Sequence, residues 1–110
     1  MSIKPITPEE LNEHLTHAPN AIIINVLSHE MFAKQHIPGS VNVPFDKIEE
    51  YMPVLTTKNQ QLILYCHDEE CQASPNAAKE LAKIGYQDIL DLEVGIEGWK
   101  EAGYPVESYA

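Results

Sequence analysis

The sequence contains no arginine. All seven of its cationic side chains are lysines, set against 17 carboxylates for a formal net charge of −10. Nucleic acids and anionic membranes are held by clustered cations, and arginine's planar fork is the strongest clamp for phosphate, so the composition speaks against both as partners. Cysteine is scarce as well. Cys66 and Cys71 stand five positions apart, too close to staple distant parts of a fold, a usage expected of a reducing cytoplasm rather than of a secreted scaffold. No apolar run approaches the roughly 20 residues that cross a bilayer. The opening Met1-Ser2-Ile3-Lys4-Pro5 lacks the apolar centre of a signal peptide and is expected to lead straight into a helix, which points to a cytoplasmic protein.

What is present fits one compact domain over residues 1–110. A hydrophobic fraction of 44% in 110 residues suffices for a core without disulfides. Thr7-Pro8-Glu9-Glu10 forms a capping box with proline at the first helical position, and Leu11 and Leu15 make an i, i+4 apolar pair on the helix that follows. Residues 21–26 are a continuous β-branched run, as in a parallel strand covered on both faces. Ser28 is expected to cap a short helix, residues 36–40 to turn, residues 41–43 to form a short strand, and Asp46 to cap a third helix limited by Pro53. A helix through Leu81 and Ile84 should stop at Gly85. Residues 89–92 read as a strand, and a last helix carrying Ile96 and Trp99 ends at Gly103. Strands alternating with helices predict an α/β fold, with a central parallel sheet of about five strands and helices on both faces.

The stretch around which this pattern is organised is Gln61-Leu62-Ile63-Leu64-Tyr65-Cys66. It reads as a short buried strand, followed by a polar loop and then by Ser74-Pro75 as a helix start, with Ser74 as cap and Pro75 at the first helical position. Such an arrangement places the sulfur at a carboxyl edge of the sheet, facing the positive end of a helix. Cys66 is then either a thiolate nucleophile or simply the last buried residue of an apolar strand.

The ordered series His36-Ile37-Pro38-Gly39-Ser40, Val43-Pro44, Tyr65-Cys66, Ala77-Ala78, Leu81, Gly85-Tyr86, Leu92, Gly95-Ile96, Gly98-Trp99 and Ala102-Gly103-Tyr104-Pro105-Val106 resembles the rhodanese-like domain over residues 6–107. The resemblance implies that Cys66 takes sulfane sulfur from a small-molecule or protein donor, holds it as a persulfide and passes it to a thiol acceptor, with no cofactor and no metal. It also implies that His67, Asp68, Glu69, Glu70, Cys71, Gln72 and Ala73 form the substrate-binding loop, their amides curled around the sulfur. His36 then fixes a turn, and Trp99 belongs to the core.

Departures from the family pattern bear on the substrate. Active members commonly carry basic or small residues in this loop and an arginine five positions after the cysteine, where this chain has Cys71. A solvated carboxylate about 6 Å from the sulfur disfavours the thiolate by about 0.7 kcal/mol, so Asp68, Glu69 and Glu70 are expected to raise the pKa of Cys66 and to repel thiosulfate. Asn25-Val26-Leu27 stands where relatives commonly read Asp-Val-Arg; with both partners of an acid–base pair gone, no orphaned charge remains. Val94-Gly95 replaces a glycine pair and is expected to narrow the space for the loop. Cys71 has three readings: an ordinary loop residue, a thiol that resolves oxidised Cys66 as a disulfide, or a soft-metal ligand with Cys66 and His67. Two functions of different class stay open, a small sulfurtransferase and a non-catalytic rhodanese-fold module for binding or redox sensing.

Overall fold

The computed structural model describes residues 3–17 and 20–109; Met1 and Ser2, at the start of the opening stretch, lie outside them. Five strands, β1 (Ile3–Pro5), β2 (Ile22–Asn25), β3 (Val41–Asn42), β4 (Leu62–Tyr65) and β5 (Ile89–Leu92), form one sheet in the order β1-β5-β4-β2-β3. All four pairings are parallel. Between them run α1 (Pro8–Thr16), α2 (His29–Lys34), α3 (Ile48–Leu55), α4 (Ala73–Lys83) and, after β5, α5 (Gly95–Glu101).

Strand parity sorts the core into two layers. Leu62, Leu64 and Cys66 point to one face, where they meet Ile48 and Met52 of α3 and Ala77, Ala78 and Leu81 of α4. Ile63 and Tyr65 point to the other, against Leu11 of α1 and Ile96 and Trp99 of α5. Because successive strand side chains alternate, placing Leu62 and Leu64 under α4 also sends the cysteine two residues on to that same face.

Several termini follow their local signals. The Thr7–Glu10 capping box is formed in both directions, Ser28 caps α2 through the Met31 amide, and Gly85 and Gly103 take positive φ after α4 and α5. Other expectations are corrected. The chain does not lead straight into a helix: residues 3–5 add a strand to the edge of the sheet beside β5. Asp46 caps nothing; it lies in a 3-10 turn, Phe45–Lys47, and α3 begins at Ile48 without a side-chain cap. Helix α4 starts at Ala73, so Pro75 is its third residue and Ser74 lies inside its first turn rather than ahead of it.

Candidate functional site

The sheet's other face explains how the end of β4 is fixed. The buried Tyr65 hydroxyl accepts from the Ile37 amide (3.0 Å) and Asn25 Nδ2 (3.1 Å). With both lone pairs used it donates to Ser40 Oγ (2.8 Å), which in turn donates to the Ile37 carbonyl (2.6 Å). Asn25 Oδ1 accepts from the Leu27 amide (2.8 Å), so both the oxygen and the nitrogen of this neutral side chain are bonded. The turn over residues 36–40 is thereby tied to the residue before the cysteine. His36 is buried, stacks on Phe32 with ring centroids 4.0 Å apart and donates from Nδ1 to the Phe32 carbonyl (2.8 Å), a structural placement. Trp99 is buried in the core, its indole N–H donating to the Pro105 carbonyl.

The loop leaving β4 is clamped from α5. The Ile96 amide donates to the Cys66 carbonyl and the Glu97 amide to the His67 carbonyl, both at 2.9 Å. Gly95, at φ +66°, allows this approach: a Cβ there would lie 2.6 Å from the His67 carbonyl group and the Asp68 nitrogen. Val94 stands against the helix it precedes, since a Cβ at position 98 would come within 2.3 Å of its side chain, which requires Gly98.

Cys66 is 1% exposed. Its thiol faces two acceptors, the Cys71 carbonyl at 3.5 Å and Ser74 Oγ at 3.4 Å. Ser74 spends its own proton on Asp91 Oδ1 (2.8 Å), a buried carboxylate on β5. Burial, reinforced by the Cys71 thiol, pushes the Cys66 thiol up to about 11, against the opposing pull of the Ser74 hydroxyl and amide. Burial likewise raises Asp91; the Ser74 hydroxyl opposes the shift and the charge of Glu93 adds to it.

This corrects the expected anion cradle. Asp68 Oδ1 accepts from the Glu70 and Cys71 amides (3.1 Å each), so these two amides are bound to a carboxylate, while the Ser74 amide reaches the sulfur. Nor do the carboxylates of Asp68, Glu69 and Glu70 account for the raised thiol; Glu69 and Glu70 are exposed. Ala73 belongs to α4 rather than to the loop. His67 lines a cleft of about 290 Å³ with Leu27, Met31, Lys34, Gln35 and Ile96. Glu69, Cys71 and Gln72 line a second, of about 320 Å³, with Pro75, Asp91 and Glu93. Both cysteines are free. Among the described residues no group of three His, Cys, Asp or Glu is placed to hold a metal ion, and no helix is long and apolar enough to cross a membrane.

Sequence reasoning passed over Asp91. The available signal was an acid at an inward position of an apolar strand; its parallel pairing with Leu64 puts it on the face that receives Cys66. Lys34 and Met31 in the first cleft carried no comparable mark.

A parallel sheet of this order with a cysteine leaving its central strand beneath a helix defines an α/β domain of the rhodanese-like type. The chain belongs to the rhodanese-like domain family, whose sequence model matches residues 7–102. It is similar to the thiosulfate sulfurtransferase GlpE of Haemophilus influenzae, 28% identical over 111 residues and covering 98% of each chain. It is similar also to the HTH-type transcriptional regulator Rv0324 of Mycobacterium tuberculosis, 28% identical over 93 residues that make up 84% of this chain and 40% of that one. Among solved structures, the BH2092 protein of Bacillus halodurans superposes with a TM-score of 0.88 at 25% identity, over 96% of this chain and 77% of the other. The chain spans between 23% and 54% of the length of the longer curated relatives it matches.

Proposed function

We propose that this chain is a rhodanese-type sulfurtransferase, carrying sulfane sulfur as a persulfide on Cys66 within a single domain of residues 1–110. The observation that carries this reading is the placement of Cys66 in a member of this family. It leaves the carboxyl end of a central strand, lies beside the first turn of α4 and is followed by His67 at the mouth of a cleft. A relative covered along 98% of its length is named a thiosulfate sulfurtransferase, which supports the same chemistry. In the forward step the Cys66 sulfur attacks the sulfane sulfur, a new S–S bond forms, and the donor's S–S bond breaks with its electron pair leaving on the donor. An acceptor thiolate then attacks the outer sulfur and Cys66 departs as thiolate. The Ser74 amide is the donor that favours negative charge on this sulfur, the Ser74 hydroxyl proton being held by Asp91 Oδ1.

The donor is one that tolerates an acidic loop. Glu69 and Glu70 stand exposed on it, and among the residues that line the first cleft Lys34 is the one cation, across from the His67 imidazole. A neutral sulfane compound or a persulfide presented by a protein fits better than thiosulfate, whose charge the loop repels. In this reading Cys71, whose thiol bears on Cys66 across the loop, serves as the resolving thiol.

One observation favours the second reading, a binding or redox-sensing module without turnover. A thiol raised to about 11 is ionised in about one molecule in ten thousand at neutral pH. Intact mass after exposure to a sulfane-sulfur donor decides between the two. Sulfur transfer requires a gain of about 32 Da per sulfur atom that disappears in Cys66→Ala and is returned to an added thiol; an unchanged mass in the wild type sinks it.

A further inference from the structure

We propose that Asp91 is the acceptor of the Cys66 proton, reached through the Ser74 hydroxyl, so that Cys66, Ser74 and Asp91 form one proton path from sulfur to the second cleft. The inference rests on Cys66 being the nucleophile of the proposed transfer and adds how a protonated, buried thiol becomes one.

Three observations converge. The acceptors of the thiol proton are the Cys71 carbonyl and Ser74 Oγ, so the thiol stands as S–H in the resting site, with the Ser74 amide and the Cys71 thiol beside the sulfur. Ser74 offers that thiol a lone pair because its own proton already points at Asp91 Oδ1, 2.8 Å away. Asp91 is buried on the adjacent strand yet lines the cleft shared with Glu69, Cys71 and Glu93. Among the described residues it is therefore the one carboxylate connected to the sulfur by hydrogen bonds and to the surface by a cleft. The path resembles in logic a nucleophile whose base is reached through an oriented intermediary.

The proton count closes. As Cys66 sulfur bonds to the donor's sulfane sulfur, the thiol proton passes to Ser74 Oγ and the Ser74 hydroxyl proton passes to Asp91. The carboxylate becomes a carboxylic acid, and the leaving group departs with the electrons of the broken S–S bond. When the acceptor takes the outer sulfur, Cys66 leaves as thiolate and recovers its proton by the reverse shift. The total charge of the three residues is the same at start and finish. The groups facing this path are Cys71 from the loop and Glu93 from the end of β5, with Glu69 across the cleft. Ser74 touches the sulfur directly, whereas Asp91 acts through it as a positioning residue and proton store.

The test is alkylation of Cys66 by iodoacetamide, a neutral electrophile that requires no sulfur chemistry, with Cys71→Ser as the common background and rates followed from pH 5 to pH 11. Wild-type Asp91 should give an alkylation rate at pH 7 about tenfold above Asp91→Asn, a modest share of the 10²–10⁴ that a directly placed base supplies. The variant's rate should climb tenfold per pH unit and meet the wild-type curve near pH 11, where the thiolate forms unaided. Ser74→Ala should match Asp91→Asn, the double variant should be no slower than either, and Ser74→Thr, which keeps the hydroxyl, should retain the rate. Equal or faster alkylation in Asp91→Asn at pH 7, with Ser74→Thr folded and unaltered, would overturn the path and make Asp91 a structural partner of Ser74. The donor reading fails separately: a wild type with the Asp91-dependent profile but no gain of sulfur mass has the path and not the transferase.

Discussion

Tyr65 and Cys66 are consecutive residues at the end of β4, and they face opposite sides of the sheet. Each is buried and each carries one titratable proton on a polar atom, yet their surroundings are built differently. The Tyr65 hydroxyl receives two N–H donors and passes its proton to Ser40, so every lone pair and proton is used. The Cys66 thiol receives no comparable closed set: its proton faces two oxygens, and one of them leads onward to a carboxylate. A closed network has nowhere to send a proton and serves to hold a turn in place. An open one ending at a base beside a cleft has a direction. Parity along a single strand therefore separates the structural polar cluster from the chemical one by one residue.

The sharpest way to break the comparison is on the closed side. Tyr65→Phe removes one oxygen and strands the Ile37 amide, the Asn25 side-chain amide and a partner of Ser40. Buried groups left unsatisfied cost about 1–3 kcal/mol each, reduced by local relaxation, so urea unfolding should show a loss of about 3 kcal/mol. The alkylation pH profile of Cys66 should not move. A variant of wild-type stability, or one with an altered Cys66 profile, would show that the two sides are not separate.

These two networks also mark how far the sequence carries. The caps and stops were legible because each is encoded within a few residues: Thr7 with Glu10, Ser28 ahead of α2, Gly85 and Gly103 after theirs. The two covered faces were legible from the continuous apolar run over residues 61–66 and from the alternation of strands with helices. Strand β1 was not, since three residues including Pro5 carry no period, and only pairing with β5 makes them a strand. Ser74 was misread because a cap and a buried hydroxyl aimed at a distant acid look identical along the chain; the partner, Asp91, is 17 positions away. The loop's acidity was visible, but its geometry was not. Asp68 turns inward onto the amides of Glu70 and Cys71, while Glu69 and Glu70 face solvent. Burial, which no loop composition encodes, sets the thiol.

The open side has a signature in alkaline stability. The folded protein holds the Cys66 proton up to about 11, against an ordinary value of 9.0. Between these values the unfolded chain gives up a proton that the folded chain keeps, so the native state binds more protons and stability falls as pH rises. The contribution is intact below pH 9 and lost by pH 11, at about 1.4 kcal/mol per unit, for a total of about 3 kcal/mol that solvent screening lowers to about 2 kcal/mol. Urea titrations from pH 8 to pH 11 should show this extra decline in wild type relative to Cys66→Ala. Tyr65, also raised by burial, declines in both proteins and so cancels. Parallel curves would mean that the thiol is no harder to ionise in the fold than outside it.

The smallest expected effect concerns the loop surface that both networks leave uncovered. Because Asp68, Glu69 and Glu70 are not among the causes of the raised thiol, neutralising them as Asp68→Asn, Glu69→Gln and Glu70→Gln should leave the alkylation midpoint of Cys66 in place. What should change is the encounter with an anionic donor. Exposed charges within a Debye length, about 10 Å at 0.1 M salt, repel an approaching anion, and the repulsion weakens as salt rises. The triple variant should therefore turn over thiosulfate a few-fold faster than wild type at low ionic strength, with the advantage fading toward 1 M salt and no gain for a neutral donor. Asp68→Asn alone should contribute least, since Asp68 is half-buried and turned onto the Glu70 and Cys71 amides while Glu69 and Glu70 are exposed. A shifted alkylation midpoint would place the carboxylates closer to the sulfur than their hydrogen bonds allow. A gain independent of both salt and donor charge would assign the effect to loop motion in place of electrostatics.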